Sequence, residues 1–178
     1  VHLEQFRLDP FPVWTYAVSN VRLEKTFFLR YGENTAVVIY RLLSGPKIIL
    51  ESRPLFTCRD HHHLTHEDER FTNCFEVSPH TLKMTHANGC RLFVGSDEGV
   101  FAQDSFWYRN QDYAWEQHRG LEYREDAFCP GVFNFEIQPG QAVALVFSTE
   151  DRRSASASDW ARQERLLRRK IIEKSSIH

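Results

Sequence analysis

Short runs of strand-like sequence, each ended by turn residues, make up most of the chain, and this pattern is typical of an all-β sandwich. In the run at 21–30, Val21, Leu23 and Phe27 share one face while mostly polar side chains share the other, which predicts a strand buried on one side. The run at 35–43 is apolar on both faces and predicts an interior strand. The expected fold class is therefore mainly β.

A β-hairpin is expected around Asn88 and Gly89. The strand-like runs 81–87 and 90–96 flank this pair. Both residue types tolerate a positive φ, which favours a two-residue type I′ turn.

The composition changes after Thr149, where a Ser/Ala-rich stretch precedes a helix-like tail at 159–174. We therefore divide the chain into a β-sandwich domain at 1–150 and a linker with a helix at 151–178. Trp160, Leu167 and Ile171 give this helix only a thin apolar stripe on a basic, solvated surface. Such a helix is expected to lead to, or pack on, another part of the structure.

Charge and composition argue against several classes of partner. The formal net charge of -2 offers no broad attraction for phosphate backbones, so we expect no nucleic-acid partner. No apolar run is long enough to span a membrane, so no membrane partner is expected. The 4 Cys are widely spaced, without a C-x-x-C pair or a signal-like apolar run, which predicts thiols in a cytoplasmic protein.

Several segments, taken in order, carry a family resemblance: F-R-L-D-P-F-P-V-W-T-Y, N-T-A-V-V-I-Y-R-L-L, R-P-L-F-T-C-R-D-H-H-H-L, and F-W-Y-R-N-Q-D-Y followed by E-Q-H-R-G-L-E-Y-R-E-D-A-F-C-P-G-V-F-N-F. Over residues 1 to about 149 the chain resembles the N-terminal domain of bacterial and archaeal glycogen debranching enzymes. The resemblance implies an antiparallel β-supersandwich, similar to the galactose mutarotase fold. It also implies a C-terminal linker helix leading to an (α/α) barrel that carries the amylo-α-1,6-glucosidase chemistry.

On this resemblance the chain begins after the opening strands of the family and stops within the linker. Glycoside hydrolysis needs two carboxylates across a sugar-binding cleft, and the resemblance places both in the barrel. Glu125 and Asp126 are adjacent on a strand and point to opposite faces, which argues against catalysis by this pair. We expect the chain alone to be inactive, with no catalytic residue and no cofactor, and its partners to be its own barrel domain and a branched α-glucan.

The stretch R-D-H-H-H-L-T-H-E-D, at 59–68, holds four of the chain's 9 histidines. The resemblance implies that His62 is the histidine that matches the family pattern. Arg59, Asp60 and His62 are therefore expected to form a hydrogen-bonded loop anchor at an interface with the next domain.

A metal site in this stretch is disfavoured by its geometry. In an extended chain His61 and His63 project to one side and His62 to the other. Zinc needs three or four ligands within about 2.0–2.3 Å, so binding would require a turn or a distant ligand such as His86. No metal is expected.

Four more residues are candidates for contact with substrate. Trp107 and Tyr108 could stack on a sugar ring, although aromatic residues in a sandwich are more often part of the core. Glu116 and Arg119 could hydrogen bond to sugar hydroxyls, and the alternative is a surface ion pair between them.

The sequence predicts a non-catalytic N-terminal domain that supports the barrel and walls its glucan-binding cleft. One alternative is an aldose-epimerase-like enzyme with a histidine and a glutamate as acid and base. The other is a stand-alone carbohydrate-binding module. The linker-like tail argues against both.

Overall fold

Two antiparallel sheets, of eight and three strands, build the protein. The computed structural model describes residues 2–8, 10–60, 63–71, 74–87, 89–96, 98–152 and 156–175. It is mainly β, with 53% strand, and the sheets do not close into a barrel. This confirms the fold class that the alternating runs predicted.

The large sheet has the order β1-β2-β3-β4-β11-β8-β7-β6 and the small sheet the order β5-β10-β9. Their strands are β1 (Leu3–Leu8), β2 (Pro12–Val18), β3 (Val21–Leu29), β4 (Thr35–Ser44), β5 (Ile48–Ser52), β6 (Phe75–Ser78), β7 (Thr81–Thr85), β8 (Arg91–Gly95), β9 (Val100–Asp112), β10 (Arg124–Ile137) and β11 (Ala142–Ser148). A 3₁₀ turn at Glu69–Phe71 and the helices α1 (Ala114–His118) and α2 (Ala157–Ser175) complete the described elements.

The main core fills the space between the two sheets. The small sheet supplies Phe128, Phe133 and Phe135, and the large sheet supplies residues of β4, β7, β8 and β11 such as Leu82 and Leu145. The strands β1 to β3 extend the large sheet beyond this core, and every side chain of β1 is exposed. The core therefore joins the small sheet to the central part of the large sheet.

The β7–β8 hairpin is present, but its loop is longer than expected. The His86 N–H donates to the Cys90 carbonyl at 2.9 Å, which leaves three residues, 87–89, in the loop. Gly89 has a φ of +87°. A three-residue loop ending in a left-handed glycine replaces the expected two-residue turn, and Asn88 lies outside the described residues.

The helix α2 packs on the outer face of the large sheet. Ala157 and Ala161 are buried there against Phe11, Phe28 and Val37. Small side chains allow the helix backbone to approach the sheet closely.

The polar residues of α2 also contribute to this contact. The buried Glu164 accepts the Tyr31 N–H at 2.9 Å, and the Arg168 guanidinium lies 4.8 Å from the centre of the Phe11 ring. Of the expected stripe, Trp160 packs against this cluster and Leu167 is half-buried, whereas Ile171 is exposed. The most buried positions of the contact are Ala157, Ala161 and Glu164, which the stripe did not include. In the part of the chain that the structure describes, neither α1 nor α2 is long and apolar enough to cross a membrane.

A negative charge at the centre of this contact should detach the helix. We expect Ala161→Asp to lower the free energy of unfolding by about 3 kcal/mol, because it buries an unpaired carboxylate. The matched control is Gln163→Asp on the exposed side of the same helix, which should change it by less than about 0.5 kcal/mol. Urea denaturation of the three proteins measures both values, and equal losses would contradict the described packing.

Candidate functional site

A buried carboxylate joins three segments of the chain at the start of β10. Glu125 is 1% exposed and accepts two hydrogen bonds from Arg59, with Nη2 at 3.1 Å from Oε2 and Nε on Oε1. The Thr65 N–H donates to Oε1 at 2.9 Å, and the Tyr113 hydroxyl donates to Oε2. The carboxylate thereby fastens the loop after β5 and the segment before α1 to the small sheet.

These partners keep Glu125 ionised despite its burial. Burial alone would raise the pKa of Glu125, but hydrogen bonds from Arg59, Tyr113 and the Thr65 N–H outweigh it and lower the pKa below 4.5. The same contacts act on the donors: the carboxylate raises the pKa of both Arg59 and Tyr113. A carboxylate held in this way is a structural anchor and is poorly suited to take up a proton during a reaction.

Asp126 fixes the same loop from the next position of β10. It accepts the Glu67 N–H at 3.0 Å and the N–H of Asn110, whose φ is +59°, at 2.9 Å. Arg109 and Glu67 form an ion pair alongside, with Nη2 2.9 Å from Oε1. The two adjacent carboxylates therefore hold different donors of the same loop, at a point where the pairing of β10 with β9 is irregular.

The anchored loop forms one wall of a polar groove, and α1 with the turn after it forms the other. The groove has a volume of about 600 Å³ and is lined by Arg59, His63, Tyr113, Glu116, Arg119 and Glu122. It continues into a second depression of about 480 Å³, which shares Leu64, Leu121 and Glu122 with the first. We call the two together the loop groove.

The loop groove brings together three of the residues that the sequence singled out: Arg59, Glu116 and Arg119. Within the described structure no ion pair joins Glu116 to Arg119. Asp60 takes part through its main-chain carbonyl, which accepts the His63 N–H at 3.1 Å and Arg59 Nη1 at 3.2 Å. His62, the third member of the expected loop anchor, lies outside the described residues.

The two aromatic candidates lie apart from the loop groove. Trp107 is half-buried at the margin of the core, edge-on to Phe71 at 5.1 Å and to Phe128 at 5.2 Å between ring centres. Tyr108 is 41% exposed, and its ring lies 4.9 Å from that of Phe106. The neighbouring positions of Trp107 and Tyr108 on β9 separate them onto opposite faces.

Sequence reasoning missed Tyr113 and Trp115. Tyr113 lines the loop groove and holds Glu125, while Trp115 projects from α1 and is 76% exposed. A signal was available: in D-Y-A-W-E-Q-H-R-G a tryptophan stands among polar residues without a strand-like alternation. That setting is unusual for a core tryptophan.

Residues 2–8, 10–60, 63–71, 74–87, 89–96, 98–152 and 156–175 contain no group of three histidine, cysteine, aspartate or glutamate side chains that could hold a metal ion. His86, the proposed distant ligand, is buried with its ring 4.7 Å from that of Phe71. His66 Nδ1 lies 4.0 Å from an Asp126 oxygen. His61 and His62 lie outside the described residues.

Comparison with known proteins gave one matching family model and 13 matching chains among solved structures, and two of those structures stand for the rest. The family model described as "Glycogen debranching enzyme N terminal" matches residues 1–144. No curated protein matched the chain. The two structures are heparan sulfate lyase HepC from Pedobacter heparinus (TM-score 0.49, 14% identity) and a mutant of it (TM-score 0.47, 15% identity). The matches cover 82% of this chain, which spans about a fifth (21%) of the length of those lyases.

Loss of the charge at Glu125 should destabilise the protein. We expect Glu125→Gln to lower the free energy of unfolding by about 3 kcal/mol, the lower end of the range for a broken buried pair, because Arg59 is partly exposed. The control is Asp112→Asn in the exposed Arg124–Asp112 pair, which should leave the melting temperature nearly unchanged. Urea and thermal denaturation measure both, and an equal effect of the two changes would rule out the anchor.

The contribution of Glu125 should also depend on pH. Its folded-state pKa is below the ordinary value, so its stabilisation is present above about 4.5 and is lost as the pH falls through the folded-state pKa. The difference in free energy of unfolding between wild type and Glu125→Gln should therefore shrink as the pH falls below about 4.5. Taking the difference removes the effects of the other carboxylates. A constant difference over this range would contradict the lowered pKa.

Proposed function

Because this chain belongs to the family of glycogen debranching enzyme N-terminal domains, we propose that it is the non-catalytic N-terminal part of such an enzyme. It supports an (α/α)-barrel domain that carries out the amylo-α-1,6-glucosidase reaction. Its loops wall part of the glucan-binding cleft of that domain. The observation that carries this proposal is the family match over residues 1–144, which extends from β1 into β11.

The chemistry of the described carboxylates supports the assignment of catalysis to another domain. A glycosidase needs one carboxylate as acid and a second as base or nucleophile, facing each other across the scissile bond. Glu125 is buried and already holds four hydrogen-bond donors. Asp126 is engaged by two main-chain N–H groups. Neither carboxylate of this pair is available to a substrate.

The surface of α2 supports contact with a further domain. Leu166 is exposed on the side of this helix that faces away from the large sheet, and Ile171 is exposed near its C-terminal end. Apolar side chains in such a position are suited to being covered by a neighbouring domain. The proposed partners are accordingly the barrel domain and a branched α-glucan.

The proposed location of the protein is the cytoplasm. The four cysteines are thiols and form no disulfide. Reduced cysteines are the normal state in a reducing compartment.

The proposal predicts where activity will be found. The purified 178-residue chain should release no glucose from a branched maltooligosaccharide above the buffer control, because the proposed catalytic carboxylates lie in the barrel domain. The longer protein encoded by the same gene should release glucose. A coupled glucose assay measures both samples under the same conditions.

Two outcomes would overturn the proposal. Glucose release by the chain alone would place catalysis in the sandwich, and a reading frame that ends at His178 would remove the barrel. The same purified chain should leave the mutarotation of glucose at the buffer rate. A faster rate would instead support the aldose-epimerase-like alternative.

A further inference from the structure

We propose that the loop groove is a saccharide-binding subsite that takes a neutral oligosaccharide, and that its ligand is a segment of α-glucan. The choice of an α-glucan rests on the proposed function. The choice of a neutral saccharide rests on the groove itself, on its hydrogen-bonding groups, its balance of charge and the two side chains that are held in place.

The hydrogen-bonding groups of the groove match adjacent hydroxyls on a sugar ring. Arg59 has five N–H groups, of which Glu125 and the Asp60 carbonyl accept three. Its guanidinium lines the groove, so the other N–H groups can donate to a ligand. Glu116 and Arg119 do not pair with each other in the described structure, so a carboxylate that accepts and a guanidinium that donates stand on the same wall.

The charges of the groove favour a neutral ligand over an anion. Among the described lining residues of the loop groove, Arg59 and Arg119 are matched by Glu116 and Glu122. A third arginine, Arg124, lines the second depression and is paired with Asp112. The buried Glu125 lies directly behind Arg59 and adds a further negative charge. A sulfate, phosphate or carboxylate group would therefore meet no net positive field in the groove.

An exposed aromatic ring stands on the helix that carries one wall of the groove. Trp115 lies four residues before Arg119, the C-cap of α1, and residues with this spacing are neighbours on a helix surface. Its indole is 76% exposed, with the His118 ring edge-on at 6.2 Å between centres. A flat apolar surface next to paired hydrogen-bonding groups suits the two sides of a pyranose ring, one apolar and one rich in hydroxyls.

Two side chains of the groove are held in place before any ligand binds. Tyr113 and Arg59 line the groove, and both are held by the buried carboxylate of Glu125. Binding therefore does not have to order these two side chains, which lowers its entropic cost.

Nuclear magnetic resonance on the 178-residue chain tests the proposal. Maltoheptaose should shift the amide signals of residues 63–66 and 115–122, together with the indole N–H of Trp115, which Trp115→Phe identifies. Saturation is expected with a Kd of about 1 mM, as for a single subsite with few contacts. A heparin-derived hexasaccharide, which is sulfated, should not shift these signals.

Arg119→Ala should weaken the binding of maltoheptaose about ten-fold, the effect of losing a charged hydrogen bond to the sugar. Arg119 is exposed and outside the Glu125 anchor, so the variant keeps its fold, and its spectrum verifies this. The matched control is Arg169→Ala, an exposed arginine on α2, which should bind as the wild type does.

The outcomes separate this inference from the proposed function. No saturable shift by about 10 mM maltoheptaose would overturn the subsite, and glucose release by the longer protein would then leave the proposed function standing. Normal maltoheptaose binding by Arg119→Ala, or signal shifts confined to other residues, would show that the binding site lies outside the loop groove. Tighter binding of the sulfated hexasaccharide than of maltoheptaose would contradict the proposal that the groove takes a neutral ligand.

Discussion

A carboxylate shielded from water must be surrounded by donors, and Glu125 obtains its donors from the loop after β5 and from the segment before α1. The described residues of the loop after β5, 53–60 and 63–68, contain no helix or strand. They are positioned by Glu125, by Asp126 beside it and by the bridge between Phe56 and Phe128. Both walls of the loop groove are therefore attached to the same residue, Glu125 at the start of β10.

The large sheet separates the small sheet, which carries Glu125, from the helix α2. Its central strands are apolar on both faces, as β4 shows with Val37 turned to α2 and Leu42 turned to the small sheet. One face carries the small sheet with the loop groove at its end, and the other face carries the helix. A partner can thus contact α2 without contacting the groove.

The sequence predicted those strands and turns whose signals lie within a few neighbouring residues. Alternation identified β3, and a run apolar on both faces identified β4. The pair Asn88-Gly89 identified the β7–β8 hairpin, although not the length of its loop. The link between Arg59 and Glu125 spans 66 positions and has no periodic signal. The most buried apolar residues of α2 are Ala157 and Ala161, which do not stand out as an apolar stripe. Trp115 was passed over because aromatic residues are abundant in this chain.

The position of β11 has a consequence for synthesis of the chain. This strand lies between β4 and β8 in the large sheet, yet it is the last strand to leave the ribosome. Until Ser148 has emerged, the β1–β4 meander and the β6–β8 meander cannot join, and each keeps an open edge that can pair with another nascent chain. The large sheet therefore closes late and all at once, when its final strand inserts into the gap at its centre.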